Sequence, residues 1–300
     1  MTLALGIVTP VLHMNPRFDP PAWELTAGID DVVTVVQRAE ALGYDWVGCS
    51  EHIAVPATGP TVRGGRYWDP FSTLGYLAAT TSRIGLLTHM VVLPYHHPLE
   101  LVKRLGTLDL LSHGRVIMGI GVGSLQPEFD LLGHPFDGRG DRSDDAIKAI
   151  RAAWGHRTPE YHGTHYDFEG FVVEPSGLPR AVPIWVGGRT RRSLRRALEL
   201  GDAWMPFGGQ LDQLTELVSS EKMQQALDDR AASHGTPLPM ILAPEPPLDP
   251  LAHPARTADF LAPYIALGAT GFCLRFEHDS RAHYCEQMEA MVPVAAELSS

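Results

Sequence analysis

The fold is decided by the stretch LGYLAATTSRIGLLTHMVVLPYHHPLELVKRLGTLDLLSHGRVIMGIGVGSLQPE, residues 74–128. It contains two apolar, strand-like segments, Ile84 to Leu93 and Val116 to Ile120, with an amphipathic helix between them. Each strand carries special residues toward its carboxyl end, Thr88-His89 in the first and the glycines of GIGVG, residues 119–123, in the second. The pattern predicts a parallel strand–helix–strand unit whose functional surface lies at the carboxyl ends of the strands.

Strand and helix signals alternate along the rest of the chain. The strands are short and apolar without strict polar alternation, which is typical of a sheet buried on both faces. Eight such units close most simply into an α/β fold of the (β/α)8 barrel type, for which ~250 residues is typical. A doubly wound open sheet is the alternative, but no GxGxxG follows the first strand. The expected strands are residues 3–9, 45–50, 84–93, 116–120, 184–186, 203–206, 240–243 and 271–276.

We expect one domain over residues 1–300, because the sequence has no linker and no low-complexity segment. An insertion at about residues 124–183 follows the fourth strand, with a helix from Asp144 to Trp154 and a hairpin-like excursion from Tyr161 to Val173. The helices expected elsewhere are residues 29–42, 70–80, 99–111, 191–200, 211–230, 257–267 and 282–298.

The composition disfavours several classes of protein. A formal net charge of -11 argues against a nucleic-acid partner, because phosphate binding needs a basic surface. The three cysteines have no paired spacing, which is expected of a reduced, cytoplasmic protein. No apolar run approaches the ~20 residues that a membrane span needs, so no membrane partner is expected. The first residues, MTLALGIVTPVLHM, lack a basic region, and we interpret them as a strand rather than a signal peptide.

Two pairs of polar residues end or interrupt predicted strands. Glu51 and His52 follow the second strand, where a barrel places a carboxylate and an imidazole at its catalytic rim. Histidine exchanges protons near neutral pH, so both are candidate catalytic residues. The structural alternative is that His52 only forms hydrogen bonds with neighbouring residues at the rim.

Thr88 and His89 lie within the apolar third strand. They should either face a ligand in the barrel mouth or bond to backbone and to a neighbouring strand.

A basic cluster follows the fifth strand of this acidic chain. The run GGRTRRS, residues 187–193, joins a glycine pair at a strand end to a helix start rich in hydroxyl and guanidinium groups, Arg192 among them. Backbone N–H groups, hydroxyls and arginines together suit a phosphate, whereas the alternative is a solvated helix face.

The run GIGVGS, residues 119–124, lets the backbone approach a flat ring or a phosphate, but such a turn often marks only a tight connection between a strand and a helix.

The fourteen histidines do not predict a metal site. His96 and His97 are adjacent and point apart on an extended chain, and the sequence has no HExxH and no Cys/His quartet. A serine hydrolase is disfavoured because no GxSxG occurs. Aromatic residues of the loops either shape a substrate pocket or pack the loops down. The candidate substrate contacts are Tyr67, Trp68 and Tyr95, together with Arg275 at the end of the eighth strand.

The order of these motifs resembles the luciferase-like monooxygenase superfamily, specifically its F420-dependent oxidoreductase branch. The matching segments, WDPFSTLGYLAATTSRIGL, LPYHHPLELVKRLGTLDLLSHGRVIMGIGVG, PEFDLLG, PIWVGG and ALELGDAWMP, span most of the chain up to about Phe207. The resemblance implies a (β/α)8 barrel with an insertion and a deazaflavin or flavin held at the strand carboxyl ends. It also implies hydride or oxygen chemistry at that ring. Members of the family often form homodimers, so a homodimer is one expectation.

Family roles then fall on particular residues of this chain. The acidic-histidine pair of the F420 branch falls on Glu51 and His52, although that acid is commonly Asp. A non-prolyl cis peptide, which the family often has behind the ring, falls on Thr88-His89, where relatives mostly carry a small residue in place of the histidine. The glutamate that follows the glycine loop in relatives is Ser124 here. The residues expected at the cofactor are Thr88, His89, Gly121, Val122 and Gly123, and, for its phosphate-bearing tail, Gly187, Gly188, Arg189, Thr190 and Ser193.

The expected function is that of an F420-dependent oxidoreductase that transfers a hydride between deazaflavin and an organic substrate. His52 would assist proton transfer and Glu51 would tune it. One alternative is an FMN-dependent luciferase-like monooxygenase that uses reduced flavin and O2. The others are a non-catalytic flavin-binding barrel and a phosphate-binding lyase or isomerase without a redox cofactor. The expected partners are a small-molecule substrate and a flavin-type cofactor.

Overall fold

Strands and helices alternate along the computed structural model, which describes residues 2–14, 21–57, 64–208 and 210–299. The strands are β1 (Ala4–Val8), β2 (Trp46–Cys49), β3 (Gly85–Thr88), β4 (Val91–Val92), β5 (Val116–Gly121), β6 (Tyr161–His162), β7 (Asp167–Phe168), β8 (Ile184–Gly187), β9 (Ala203–Met205), β10 (Ile241–Leu242) and β11 (Gly271–Leu274). The α-helices are α1 (Ala22–Thr26), α2 (Ile29–Ala41), α3 (Pro70–Thr80), α4 (Pro98–Leu111), α5 (Gln126–Leu132), α6 (Arg139–Ala153), α7 (Arg191–Leu200), α8 (Leu211–Val218), α9 (Glu221–His234), α10 (Pro254–Ala266) and α11 (Arg281–Leu298).

The chain forms two compact units that are discontinuous in sequence. The first unit unites the two ends of the chain, and the second is formed mostly by its middle. By residue, the first unit is 1–11, 20–48 and 185–300, and the second is 12–19 and 49–184. The single domain expected over residues 1–300, with its insertion, stays a prediction.

The first unit is built on parallel strands in the order β8–β9–β10–β11–β1–β2. The strand pairs are parallel throughout, and a parallel bridge between Trp204 and Met240 joins β9 to β10. Gly6 in β1 shows why the sequence fits this sheet. A Cβ there would lie 1.9 Å from the indole Nε1 of Trp46, which is 2% exposed and packs edge-on against Trp185.

The second unit contains β3 and β4, which both pair in parallel with β5, and the antiparallel hairpin β6–β7. Asp145 of α6 anchors the hairpin, because its carboxylate accepts hydrogen bonds from the Tyr161 hydroxyl and from the backbone N–H groups of His165 and Tyr166. Burial opposes ionisation of this carboxyl, but the hydrogen bonds outweigh it and hold the pKa of Asp145 below its ordinary value. The predicted hairpin is confirmed, over a narrower paired range.

The predicted continuous strand over residues 84–93 is wrong. The chain forms β3, then a cis peptide bond between His89 and Met90, then β4, and finally a 3-10 turn over Leu93–Tyr95. The cis peptide expected at Thr88-His89 therefore lies one bond later. The polar pair Thr88-His89 stands at the end of β3, but almost every residue of the run is buried, this pair included, so the burial pattern does not distinguish an interrupted strand from a continuous one.

Some of the helices depart from the prediction. The helix expected over residues 211–230 is split into α8 and α9, because Ser220 between them has extended backbone with ψ 138°. Helices α1 and α5 were not predicted, and α6 begins at Arg139 rather than at Asp144. Among the described helices, none has both the length and the apolar character that crossing a membrane requires.

Replacing Gly6 by alanine tests the packing of the first unit. We expect Gly6→Ala to lower the free energy of unfolding by about 1–3 kcal/mol, because the added methyl group overlaps the fixed indole of Trp46. Chemical denaturation followed by tryptophan fluorescence measures this difference. Gly75→Ala is the matched control, since a Cβ at that helical position meets nothing within 4 Å, and it should be neutral or stabilising by up to about 1 kcal/mol. Equal stability of the two variants would contradict the packing argument.

Candidate active site

The centre of the candidate site is a hydrogen-bonded pair formed by His52 and Glu128. His52 follows β2, and its Nδ1 lies 2.7 Å from Oε2 of Glu128, which stands in the first turn of α5. The hydroxyl of Tyr95 donates to the same Oε2 at 2.9 Å. The backbone N–H groups of Ile53 and Ala54 donate to Oε1 at 2.6 and 3.0 Å. A carboxylate that is only 1% exposed thus has donors on both of its oxygens.

This network assigns the tautomer of His52. Burial alone would raise the pKa of Glu128, but the hydrogen bonds from His52, Ala54 and Tyr95 and the charge of His52 hold it below its ordinary value. The carboxylate is therefore ionised at neutral pH and can only accept hydrogen bonds. The hydrogen facing it is accordingly carried by Nδ1 of His52. Nε2 is then the nitrogen through which His52 can take up or release a proton.

Glu51 serves a different set of groups from its neighbour His52. Its Oε1 lies 2.8 Å from Nε2 of His96, and its Oε2 accepts the backbone N–H of Val92 at 2.7 Å. The residue is 3% exposed. The carboxylate that contacts His52 is thus Glu128, while Glu51 holds the segment that contains β4 and the 3-10 turn.

Two further aromatic rings, those of Tyr67 and His13, lie next to the imidazole of His52. The ring of Tyr67 lies 4.6 Å from the imidazole of His52 in an edge-on arrangement, and it stacks on His13 at 5.8 Å. An antiparallel bridge joins the backbones of His13 and Tyr67, and the next residue, Trp68, donates its N–H to the carbonyl of Leu12 at 2.9 Å. Two of the candidate substrate contacts, Tyr67 and Trp68, are therefore half-buried residues of one anchored segment.

Tyr95, a further candidate substrate contact, is enclosed instead. It is 8% exposed, with its ring edge-on to Phe129 at 4.7 Å and stacked on His134 at 6.2 Å. Its hydroxyl reaches Glu128. The structure therefore brings Tyr95 into the hydrogen-bond network of His52.

Thr88 forms a hydrogen bond to backbone, which is the alternative to facing a ligand. This residue is fully buried, and its hydroxyl donates to the carbonyl of Gly119 at 2.8 Å. His89 is 5% exposed, and its backbone N–H donates to the carbonyl of Cys49 at 2.7 Å. Thr88 thus links the backbones of β3 and β5.

The basic cluster lies at the start of α7 in the first unit. Thr190 and Ser193 cap this helix reciprocally, each side-chain oxygen accepting the backbone N–H of the other. Ser193 is buried within the cap, whereas Gly188, Arg189 and Arg192 are exposed. Arg189 also donates to the carbonyl of Gly208 at 2.6 Å, on the loop after β9.

Arg275 follows β11 in the same unit. Its guanidinium lies over the ring of Phe207 at 4.8 Å, and its Nη1 is 3.7 Å from Oε1 of Glu245. The side chain is 14% exposed, so it is largely buried by these neighbours.

A family model of luciferase-like monooxygenases matches residues 11–246. The chain belongs to the luciferase-like monooxygenase family. In agreement with this, an uncharacterized protein of Mycobacterium tuberculosis is 31% identical over 253 residues, which cover 76% of this chain and 88% of that protein.

Relatives of this luciferase-like protein use two kinds of cofactor. The FMNH2-dependent dimethylsulfone monooxygenase of Pseudomonas putida is 26% identical over 163 residues, which cover 53% of this chain and 45% of that protein. The F420-dependent glucose-6-phosphate dehydrogenase of Microbacterium testaceum is 28% identical over 223 residues, which cover 73% of this chain and 63% of that protein. The predicted enzyme class, an oxidoreductase or monooxygenase of this family, is confirmed.

Solved structures confirm the predicted fold class, a luciferase-like (β/α)8 barrel. The monooxygenase RslO1 from Streptomyces bottropensis has a TM-score of 0.76 at 20% identity, covering 99% of this chain and 100% of that chain. The coenzyme F420-dependent tetrahydromethanopterin reductase from Methanopyrus kandleri has a TM-score of 0.69 at 12% identity, covering 97% of each.

The glycines at and after the end of β5 differ in what internal packing requires of them. Gly121, Val122 and Gly123 are all half-buried. Internal packing requires glycine at 123, where φ is +74° and a Cβ would lie 2.6 Å from Phe129. It does not require glycine at 121, where a Cβ would meet nothing nearer than Met90 at 3.5 Å. Internal packing therefore does not account for the glycine at 121.

Sequence reasoning missed Glu128 as the partner of His52. The residue lies within the PEFDLLG segment, but α5 was not predicted, and the two residues are 76 positions apart. The motif contained the signal, an acidic residue in the first turn of a helix, where the helix dipole favours the ionised form.

A second buried carboxylate–histidine pair was also missed. Glu24, on the unpredicted helix α1, is 6% exposed and accepts the backbone N–H of Val11 at 2.6 Å. Nε2 of His278 lies 2.8 Å from its other oxygen. The pair holds the turn after β1, in which Val11 has a φ of +72°.

Replacing Glu128 by glutamine tests its control of His52. We expect Glu128→Gln to lower the share of neutral His52 that carries its hydrogen on Nδ1, because an amide oxygen is a weaker acceptor than an ionised carboxylate. The 15N–1H NMR spectrum of histidine-labelled protein measures the two tautomers. Asp130→Asn, at an exposed position of the same helix, should leave the tautomer of His52 unchanged. If the share of the Nδ1–H tautomer were the same in both variants, Glu128 would not determine the tautomer.

Proposed function

We propose that the protein is an F420-dependent oxidoreductase that transfers a hydride between a deazaflavin and a small organic substrate. The observation that carries the proposal is His52, whose Nδ1 faces a buried carboxylate with a lowered pKa and whose Nε2 can exchange a proton. Hydride transfer at a carbonyl or hydroxyl carbon is accompanied by proton transfer at the oxygen. An imidazole is suited to that step at neutral pH.

The choice of F420 rests on the extent of the match. The F420-dependent relative aligns with 73% of this chain, against 53% for the FMNH2-dependent one. FMN-dependent monooxygenation is the second candidate, favoured by the similarity to the FMNH2-dependent dimethylsulfone monooxygenase. When bound, a deazaflavin supplies the hydride chemistry, and a reduced flavin supplies the reaction with O2.

The proposed roles of the residues follow from their positions. His52 takes up or releases the proton through Nε2, and Glu128 orients it. Glu51 positions the segment after β3 by holding Val92 and His96. The remaining proposed contacts are Gly121, Val122 and Gly123 at the ring, His89 near it, Gly187, Gly188, Arg189, Thr190 and Arg192 at the phosphate-bearing tail, and Tyr67, Trp68 and Arg275 at the substrate.

We also propose a cytoplasmic location and a homodimer. Cys49, Cys273 and Cys285 are all free thiols, and burial raises the pKa of Cys49 and of Cys273 to about 12, which keeps both protonated and unreactive. Free thiols are typical of a reducing compartment. Analytical ultracentrifugation tests the dimer.

Cofactor titration tests the proposed function. We expect the purified protein to bind F420 at micromolar concentration or tighter and FMN more weakly, as followed by tryptophan quenching and cofactor fluorescence. His52→Ala should keep F420 binding and lose at least about 100-fold in turnover, the usual scale of general acid–base catalysis. Preference for FMN would replace the hydride-transfer proposal with monooxygenation. Turnover that survives in His52→Ala would remove His52 from the reaction.

Replacing Arg192 tests the phosphate cluster. We expect Arg192→Ala to weaken binding of the phosphate-bearing cofactor about tenfold, because a guanidinium–phosphate contact is lost, and the loss should shrink at high salt. Arg195→Ala is the matched control, since Arg195 is exposed on the same helix and faces Glu199 at 3.8 Å. Equal affinities of the two variants would assign the cluster to a solvated helix face.

A further inference from the structure

Strand pairing fixes only the start of the glycine loop, residues 121–123, in the described part of the chain. Gly121 ends β5 and pairs with Val92 of β4. Gly123 lies beyond the strand with a φ of +74°, and a Cβ there would lie 2.6 Å from the ring of Phe129 in α5. The loop thus leaves the sheet in a conformation that glycine adopts readily, with an aromatic ring packed directly against it.

The guanidinium group of Arg139 reaches this loop from the first turn of α6. Its Nε donates to the carbonyl of Gly123 at 3.1 Å, and its Nη1 donates to the carbonyl of Phe136 at 3.2 Å. The guanidinium carbon lies 3.6 Å from the centre of the Phe136 ring, which packs edge-on against Phe129 at 5.2 Å. Arg139 is thus bound both to the loop and to the aromatic residues next to it.

The same contacts join the loop to the helix that carries Glu128. Phe129 follows Glu128 in α5 and is fully buried. It packs against Gly123 and Phe136, the two residues whose carbonyls accept the hydrogen bonds of Arg139. The glycine loop and the carboxylate of the candidate site therefore belong to one packed cluster.

The position of Arg139 is unfavourable for a cation. It is the first residue of α6, and the helix dipole disfavours a positive charge at this end. No carboxylate among the described residues forms an ion pair with it. The two carbonyls and the ring of Phe136 therefore stabilise this charge, and of these partners only Gly123 lies outside the segment that connects α5 to α6.

We propose that Arg139 is a positioning residue for the cofactor, because it fixes the backbone of the glycine loop through the carbonyl of Gly123. A ligand that contacts a backbone already held in one conformation loses less free energy to ordering when it binds. Arg139 thereby raises the affinity for the cofactor without contacting it. The inference rests on the proposed function, in which residues 121–123 contact the cofactor ring.

A single resonance reports the hydrogen bond on which the proposal depends. Gly123-Ser124 is the only Gly-Ser pair in the sequence. Cell-free synthesis with 13C at the glycine carbonyl and 15N in serine therefore isolates this peptide group in a carbonyl-correlated NMR spectrum. We expect Arg139→Ala to shift the resonance, whereas Lys148→Ala, which removes an exposed cation from the same helix, should leave it unchanged. An unshifted resonance in Arg139→Ala would overturn the proposal.

Titration of the same variants with F420 tests the consequence for binding. We expect Arg139→Ala to weaken F420 binding about tenfold, the scale of one lost hydrogen bond from a charged group, and Lys148→Ala to bind as the wild type does. Arg139→Lys keeps a cationic donor, so it should show a smaller shift of the resonance and a smaller loss of affinity. Affinity that did not follow the resonance across the three variants would overturn the proposal.

Failure of the proposed function gives a different result. Wild-type protein that bound neither F420 nor FMN would overturn that function and, with it, the cofactor role of Arg139, even where the resonance shifted. Wild-type binding of F420 together with unchanged affinity in Arg139→Ala would overturn the role of Arg139 alone.

Discussion

The ionised carboxylate of Glu128 is the constraint on which the rest of the site depends. A buried charge persists only where hydrogen bonds compensate it, and this one accepts four, two from side chains and two from backbone. The same four bonds fix the path of the loop after β2, the position of the Tyr95 hydroxyl and the tautomer of His52. Local backbone structure and acid–base chemistry are thus consequences of one electrostatic requirement.

The segments Glu51-His52 and Tyr95-His96 are linked to each other by two sets of hydrogen bonds. Glu51 binds His96 directly, and their chain neighbours His52 and Tyr95 meet through Glu128. Because each carboxylate also accepts at least one backbone N–H group, neither link can shift without leaving a buried donor unsatisfied. The arrangement supports the imidazole with a second layer of fixed groups, which is what a precisely held acid–base residue needs.

Where local signals decide the structure, the sequence predicts it well. Helix α3 begins at Pro70 as predicted, because Asp69 caps it by accepting the N–H of Ser72 at 2.7 Å, and α7 begins after the Thr190 cap. Contacts between distant residues decide what the sequence does not predict. The interrupted strand over residues 84–93 is buried almost throughout, including its polar pair Thr88-His89, and the partner of His52 lies 76 positions away on a short helix.

The surroundings of Glu128 also indicate which of the two residues, His52 or Glu128, can transfer a proton. Ser124, directly after the glycine loop, is exposed, whereas Glu128 is buried. This carboxylate lies in the first turn of α5, where the helix dipole favours its ionised form and its hydrogen bonds are already taken. A saturated, ionised carboxylate is a poor proton donor and a poor base. Within the proposed function, proton transfer therefore falls to His52 alone, and Glu128 orients the imidazole by accepting the hydrogen bond from Nδ1.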